Sequence, residues 1–464
     1  MIPLLTAIEM RAAERQAIQG WGMSSLVLQE HAALGALALL PPEGPIHVLA
    51  GPGNNGGDAL ALARLARLRG REVSVWSPSG QREWRGDAAV QLRLWAGLGG
   101  EVLTADDPVA LMQTWRGWCV DGLFGLGASR ALEGIEARWV AALNASGLPV
   151  LALDLPSGLD PSAAEVPGEA VRATRTACFG ARKVCHGLLP ARAFCGDVTV
   201  VPIPLDQPLK AGIQVLERPE LSPRAWDAHK GSFGHVVIRA GSLGMSGAAV
   251  LAALGALRVG AGLVTVLTEP EVRAEIATQI PEAMVQAWKG AVPKEADVLL
   301  VGCGGIAQVP DWDGPLVVDA SALKEGEGRR WMDRPGTAIT PHPGEFARLF
   351  RLSRPLLMDE RLAQARQVAM GKPGVLVLKG AQTVIAGGAQ HELWINPTGH
   401  PGMATGGCGD LLAGMVAGFR AQGLPMREAA AAATWLHGAA GDRLPGAGLL
   451  PRDLAALLPE LLRA

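Results

Sequence analysis

A chain of 464 residues is too long for one ordinary hydrophobic core, so two or three domains are expected. With 49% hydrophobic residues, 19% charged residues and a formal net charge of -2, the composition excludes a disordered protein and gives no basic excess for nucleic acid or an anionic membrane. Arg, Glu, Pro or Gly interrupts every apolar stretch, so no membrane-spanning helix is expected, and the opening Met-Ile-Pro-Leu-Leu-Thr lacks the basic region of a signal peptide.

Cys119, Cys178, Cys185, Cys195, Cys303 and Cys408 show no CxxC spacing. Reduced thiols in a cytoplasmic protein are expected rather than disulfides or a zinc site. Tyrosine is absent, which removes phenols from the list of acids.

In chain order, short apolar runs alternate with helical patterns, which predicts parallel sheets covered by helices. The first half offers strands at Ile46–Ala50, Val73–Trp76, Trp118–Val120 and Val150–Leu153, with helices such as Ala59–Leu68 and Ala88–Trp95 between them. From Val201 to Arg224 five prolines break every regular pattern, and 206–222 reads as a linker. The second half predicts His235–Arg239, a small-residue helix Gly247–Val259, and strands Leu263–Leu267, Val298–Val301 and Leu316–Val318. Strands Val375–Leu378, Thr383–Ala386 and Leu393–Ile395 follow, then a glycine-rich loop and helices to the end.

The first strand runs into Gly51-Pro-Gly-Asn-Asn-Gly-Gly-Asp58 and then a helix, which fits G-x-G-x-x-G in its proper context. A plain dinucleotide reading meets two objections. Val73–Trp76 ends without an acid for a ribose, and Asp58 puts negative charge where a pyrophosphate would lie. Two further strand ends carry chemistry, in Cys119-Val-Asp-Gly-Leu-Phe-Gly-Leu-Gly127 and Ala152-Leu-Asp-Leu-Pro-Ser-Gly158. In a doubly wound sheet these ends converge, and Asn55, Asp121 and Ser157 would offer hard oxygen ligands to a group I or II cation. The alternative is that each polar residue caps its own loop.

These three motifs resemble those of the NAD(P)H-hydrate epimerase domain over about residues 1–205. The resemblance implies a potassium ion on Asn55, Asp121 and Ser157. It implies hydrate binding by Asn54, Asn55, Gly56, Gly57, Asp58, by Gly125, Leu126, Gly127, Ala128, Ser129, Arg130, Ala131, and by Asp154. Epimerisation at C6 of the hydrated nicotinamide ring needs an acid–base pair. Asp154 is one expected member, and Lys183 is expected across the ring. Ala59 and Leu126 depart from the usual Gly and Thr.

In the second half, Asn396-Pro-Thr-Gly-His-Pro-Gly-Met-Ala-Thr-Gly-Gly-Cys-Gly-Asp410 precedes the apolar helix Leu411–Phe419. Such a loop aims backbone N–H groups and a helix N-terminus at one point, a site for anionic oxygen. Asp410 there either caps the helix or takes a proton beside the anion. With His229-Lys-Gly-Ser-Phe-Gly234, Gly241-Ser-Leu-Gly-Met-Ser-Gly247, Val301-Gly-Cys-Gly-Gly305, Thr340-Pro-His-Pro-Gly-Glu345 and Leu378-Lys-Gly-Ala-Gln-Thr383, it resembles the ribokinase-like NAD(P)H-hydrate dehydratase domain over about 220–464.

The fold expectation is two α/β domains. The first is a Rossmann-like three-layer α/β/α epimerase domain over 1–205, and the second a ribokinase-like ADP-dependent dehydratase domain over 223–464. The resemblance implies Asp410 as catalytic base and Ala248, Gly304, His342 and Asp410 around the hydrate. It implies Lys379, Gly380, Ala381, Gln382, Thr383 and Gly409 around ADP or ATP, with Mg²⁺. Ser321 stands where a second Asp is common. Expected partners are small molecules, NADHX, NADPHX and an adenine nucleotide; a homo-oligomer is expected, with no nucleic acid and no membrane. The alternative is a ribokinase-like small-molecule kinase, of thiazole or pyrimidine type, fused to a non-catalytic Rossmann-like binding domain.

Overall fold

The computed structural model describes residues 1–78, 84–206, 208–354, 356–444 and 446–463. The chain divides into two compact units, Pro3–Ile213 and Gln214–Ala464, the latter joined by Met1–Ile2. No helix among the described residues is long and apolar enough to cross a membrane.

The N-terminal unit is built on a seven-stranded sheet. Its order is Val102–Leu103, Val73–Trp76, Ile46–Ala50, Trp118–Gly122, Val150–Leu153, Arg175–Phe179 and Asp197–Val201, and every pairing is parallel. Strands buried on both faces need apolar residues on both, which is why Val150–Leu153 is wholly apolar. The chain leaves Ile46–Ala50 for Val73–Trp76 on one side and returns to Trp118–Gly122 on the other. The crevice of the sheet therefore opens between the ends of Ile46–Ala50 and Trp118–Gly122, where the first two motifs lie.

The C-terminal unit carries an eleven-stranded sheet. His235–Arg239 lies between Leu263–Thr268 and Val298–Val301, and Leu316–Val318, Thr337–Ile339 and Val375–Leu378 continue in parallel. Val384–Gly387 and Leu393–Ile395 then pair antiparallel. The helices Ser246–Arg258 and Cys408–Ala421 pack closely because glycines remove side chains between them: a Cβ on Gly414 would lie 1.9 Å from the Ala252 carbonyl oxygen.

The linker expectation needs correction. Ile213–Val215, inside 206–222, is a strand that joins the larger sheet, and Gln207 lies outside the described residues. Prolines at 208 and 219 leave Ile213–Val215 free to pair, and its apolar residues Ile213 and Val215 are buried. Arg175–Phe179, Asp197–Val201 and Thr337–Ile339 were not expected as strands. They are short or open on polar residues, and neighbouring strands supply the burial that their own pattern does not announce.

Candidate active sites

In the N-terminal unit a cavity of about 660 Å³ opens at the carboxyl ends of the strands. Of the expected hydrate-binding residues, Asn54, Asn55, Asp58, Gly125, Leu126, Gly127, Ala128 and Asp154 border it. Gly56 and Gly57 are buried beneath, and Ser129, Arg130 and Ala131 do not line it. Gly56 has a packing role: a Cβ there would lie 1.6 Å from the Gly51 carbonyl oxygen, so only glycine lets the helix Asn54–Leu68 begin so close to its strand. Ala59, the departure from Gly, faces Gly122, where a Cβ would come 2.4 Å from the Ala59 Cβ.

The three expected cation ligands are brought together. Asn55 Nδ2 donates to the Phe124 carbonyl (2.9 Å), and Ser157 Oγ lies 3.3 Å from the same oxygen. Ser157 Oγ donates to Asp121 Oδ1 (2.6 Å), and Ser157 N donates to Asp121 Oδ2 (2.8 Å). Asn55 Oδ1 is buried and lacks a partner among the described residues. Burial pushes the Asp121 carboxyl up to about 6, opposed by the Ser157 and Leu123 hydrogen bonds. An orphaned carbonyl-type oxygen beside a hydroxyl, one carboxylate and a backbone carbonyl fits a large monovalent cation.

Asp154 follows the strand Val150–Leu153 and adopts the left-handed region, φ +62°. Its Oδ1 accepts from Phe179 N (3.2 Å) and from Lys183 Nζ. Lys183 is fully buried and also donates to the Phe179 carbonyl (2.7 Å). Burial opposes its charge, but Asp154 outweighs burial and holds the ammonium above its ordinary range. This corrects one expectation: Lys183 does not face the cavity across a ring but stands behind Asp154.

Glu14, absent from the sequence-based set, borders the same cavity. Burial pushes its carboxyl up to about 7 and Asp154 adds to the rise, while Lys183, Arg11 and Arg15 oppose it. Burial, Asp154, Glu14 and Asp87 likewise drive Asp58 well above the usual carboxylate range. A glutamate at a position of the buried helical stripe was the available signal.

In the C-terminal unit, Asp319, Thr340 and Lys379 follow three neighbouring parallel strands. Their side chains meet for that reason: Thr340 Oγ1 and Lys379 Nζ each donate to Asp319 Oδ1 at 2.8 Å. Asp319 and Cys303 are additions to the expected set. The signal for Asp319 is an acid directly after an all-apolar strand, as at Asp154.

Asp410 is the third residue of the helix Cys408–Ala421, whose N-cap is Gly407 at φ +93°. It is therefore not the cap. A ligand atom each from Cys303, Asp319 and Asp410 lies within 4.8 Å of the others. Burial pushes the Asp410 carboxyl up to about 6 and Asp319 adds to it, against the Cys303 thiol and Lys379. Lys379 approaches the loop closely: a Cβ on Gly409 would lie 3.2 Å from its Nζ.

The other expected residues are placed less directly. Gly304, at φ +66°, packs on the Met245 carbonyl and on Gly241, beside the switch between His235–Arg239 and Val298–Val301. Ala248 lies in the first turn of Ser246–Arg258. Thr383 Oγ1 donates to the Gly380 carbonyl (3.2 Å), Gln382 takes φ +58°, and Ala381 lies in the same turn. His342 caps the helix Pro343–Phe350, its Nδ1 accepting from Gly344 N (3.0 Å) and Glu345 N (3.3 Å). Its ring is thus held from both sides, Nδ1 by these backbone groups and Nε2 by Glu345 Oε1 at 3.6 Å.

Fold and sites together define a two-unit α/β enzyme, each unit pairing an acid with a lysine where parallel strands end. NAD(P)H-hydrate dehydratase matches residues 236–460, and the YjeF-related protein N-terminus matches 24–185. The bifunctional NAD(P)H-hydrate repair enzyme Nnr of Moorella thermoacetica is 34% identical over 99% of this chain and 96% of its own. That of Coxiella burnetii is 36% identical over 96% of each. The solved ADP/ATP-dependent NAD(P)H-hydrate dehydratase from Bacillus subtilis is 32% identical, covering 52% of this chain and 94% of its own at a TM-score of 0.48. The chain belongs to the family of bifunctional NAD(P)H-hydrate repair enzymes.

Proposed function

We propose that this chain restores hydrated nicotinamide cofactors in two steps, as an isomerase in its N-terminal unit and a lyase in its C-terminal unit. In the first, the two C6 epimers of NADHX or NADPHX interconvert in the cavity bordered by Asn54, Asp58, Gly125 and Asp154. Asp154, ion-paired with Lys183, serves as the base. Asn55, Asp121, Ser157 and the Phe124 carbonyl would hold potassium, which would fix the loop 123–128 against the hydrate. The unpartnered Asn55 Oδ1 supports that assignment.

In the second unit a C6 hydroxyl is a poor leaving group, so it is first made a phosphate ester. Asp410 takes the hydroxyl proton as the oxygen attacks the terminal phosphorus of ADP; Lys379 and the N–H groups of Gly406–Gly409 neutralise the transferring group. Expulsion of phosphate from C6 and loss of a C5 proton restore the ring, leaving AMP and phosphate. ADP is our choice of donor over ATP. The Asp319 carboxylate already pairs with Lys379 and Thr340, so Mg²⁺ would arrive on the nucleotide phosphates, the common arrangement for that ion. His342, Ala248 and Gly304 would contact the hydrate. Six buried, unpaired cysteines support assignment to the reducing cytoplasm.

The observation that carries this reading is Asp410, poised near neutrality in the first turn of a helix whose loop is open to an anion. Supplying a mixture of both hydrate epimers with ADP and Mg²⁺ tests it. Full return of reduced-nicotinamide absorbance, with release of phosphate, is expected. Accumulation of a stable phosphorylated product would establish the kinase alternative instead.

A further inference from the structure

We propose that Glu14 is the second acid–base group of the first site, giving and taking the proton on the C6 oxygen while Asp154 acts from the strand end. This rests on the epimerase reading of the unit.

Three carboxylates, Glu14, Asp58 and Asp154, border one cavity, and the single ammonium bonded among them is Lys183. That lysine is spent on Asp154, whose Oδ1 also accepts from Phe179 N. Asp154 is therefore the accepting partner of a buried ion pair, placed to take a proton, and Lys183 is sealed from the cavity.

Epimerisation needs both operations, so a second group must hold a proton at rest. Asp58 lies three residues after Asn55 in the helix that closes the cation loop, and burial with the neighbouring carboxylates drives it well above the usual carboxylate range.

Glu14 comes from a different element. Thr6 caps the helix Ala7–Arg15 in a reciprocal box with Glu9, and Leu5, just before it, bridges to Lys183. Met10 and Ala17 are fully buried, and Glu14 shares their stripe at spacings of four and three. Arg11 Nη2 donates to the Leu126 carbonyl (2.7 Å), tying the helix to the loop that borders the cavity. Among the described residues the Glu14 carboxyl makes no hydrogen bond or ion pair. A half-buried acid with no partner, aimed at a cavity, is costly unless it is used. The charged groups around it are Arg11 and Arg15 on its own helix and Asp154, Lys183 and Asp58 on the elements it faces.

The chemistry balances as follows. Protonated Glu14 gives its proton to the C6 hydroxyl; the C6–O bond breaks while the N1 lone pair forms C6=N1, and water leaves. Water adds to the other face, forming a new C6–O bond, and its surplus proton passes to Asp154. Glu14 is then ionised and Asp154 protonated, the form that runs the opposite conversion, and exchange with solvent resets the pair.

The test uses the full chain and each hydrate epimer in turn. Glu14→Gln is expected to lower kcat for epimerisation about 100-fold or more, the usual scale for loss of an acid–base group, with KM nearly unchanged. Because Glu14 acts protonated in the starting form, the wild-type rate should fall as pH rises through about 7, and that limb should vanish in the variant. Glu14→Asp should recover part of the rate. Dehydration of the epimer consumed by the C-terminal unit, followed separately, should continue, which shows that the variant folds. A Glu14→Gln chain with near-native kcat, or one that keeps the limb while Asp58→Asn loses it, overturns the proposal. A wild-type chain that never interconverts the epimers overturns the epimerase reading, and this proposal with it.

Discussion

The two sites solve the same electrostatic problem with different lysines. Each places an acid after a buried parallel strand and pairs it with a lysine, Asp154 with Lys183 and Asp319 with Lys379. Each also holds a second acid raised toward neutrality, Glu14 at about 7 and Asp410 at about 6. The difference is access. The Lys183 side chain is wholly buried, whereas that of Lys379 keeps 17% exposure and nearly touches the loop at Gly409. A sealed lysine can only set the charge of its partner. One at the surface of the site can also bind an anion, which is what phosphoryl transfer needs and epimerisation does not.

The largest expected effect isolates the free acid of the second site. Asp410→Asn should lower dehydration by on the order of 10²–10⁴, with nucleotide binding nearly intact, as read by absorbance recovery and by calorimetric titration with ADP. Near-native turnover would reduce Asp410 to a helix-end carboxylate and break the parallel.

Next come the lysines themselves. Lys183→Met leaves Asp154 unpaired in a buried position, so the N-terminal unit should lose about 3–5 kcal/mol in denaturant unfolding. Lys379→Met should cost less stability but weaken nucleotide binding by tenfold or more, the order expected for one lost charge-assisted contact. Equal losses of stability in both variants would show that access does not distinguish them.

A smaller effect concerns pH. Asp410 works as the ionised base and its carboxyl is raised to about 6, so dehydration should fall as pH drops through 6 and level off above 7. A rate flat from pH 5 to 8 would remove Asp410 from proton transfer. The mildest effect is on the cation. Asp121→Ala should make epimerisation insensitive to potassium and weaken hydrate binding; unchanged stimulation by potassium would leave Asn55, Asp121 and Ser157 as loop caps.

How far the sites were legible follows from their local grammar. Asp154 and Asp121 each follow an apolar run and Asp410 precedes one, all within glycine-bearing motifs, so sequence alone marks them. Glu14 lies in no loop; its significance comes from Asp154 and Leu126, more than a hundred residues away, and short-range pattern cannot supply that. Lys183 was marked, but which side of Asp154 it occupies depends on the strand Arg175–Phe179, whose polar start hid it. The linker shows the same limit, since Ile213–Val215 becomes a strand only because a sheet edge stands ready to receive it.

Ala59 and Gly122 carry a consequence for how this chain can change. Between the helix and its strand there is room for one methyl group, and it is occupied from position 59. The two positions are therefore not independent letters, and the Asn55 and Leu49 carbonyls, 3.1 and 3.3 Å from a Cβ at 122, weight the choice toward a methyl at 59. A methyl gained at 122 is tolerable only after the one at 59 is given up, so the order of mutational steps through the first loop is constrained before any catalytic residue is touched.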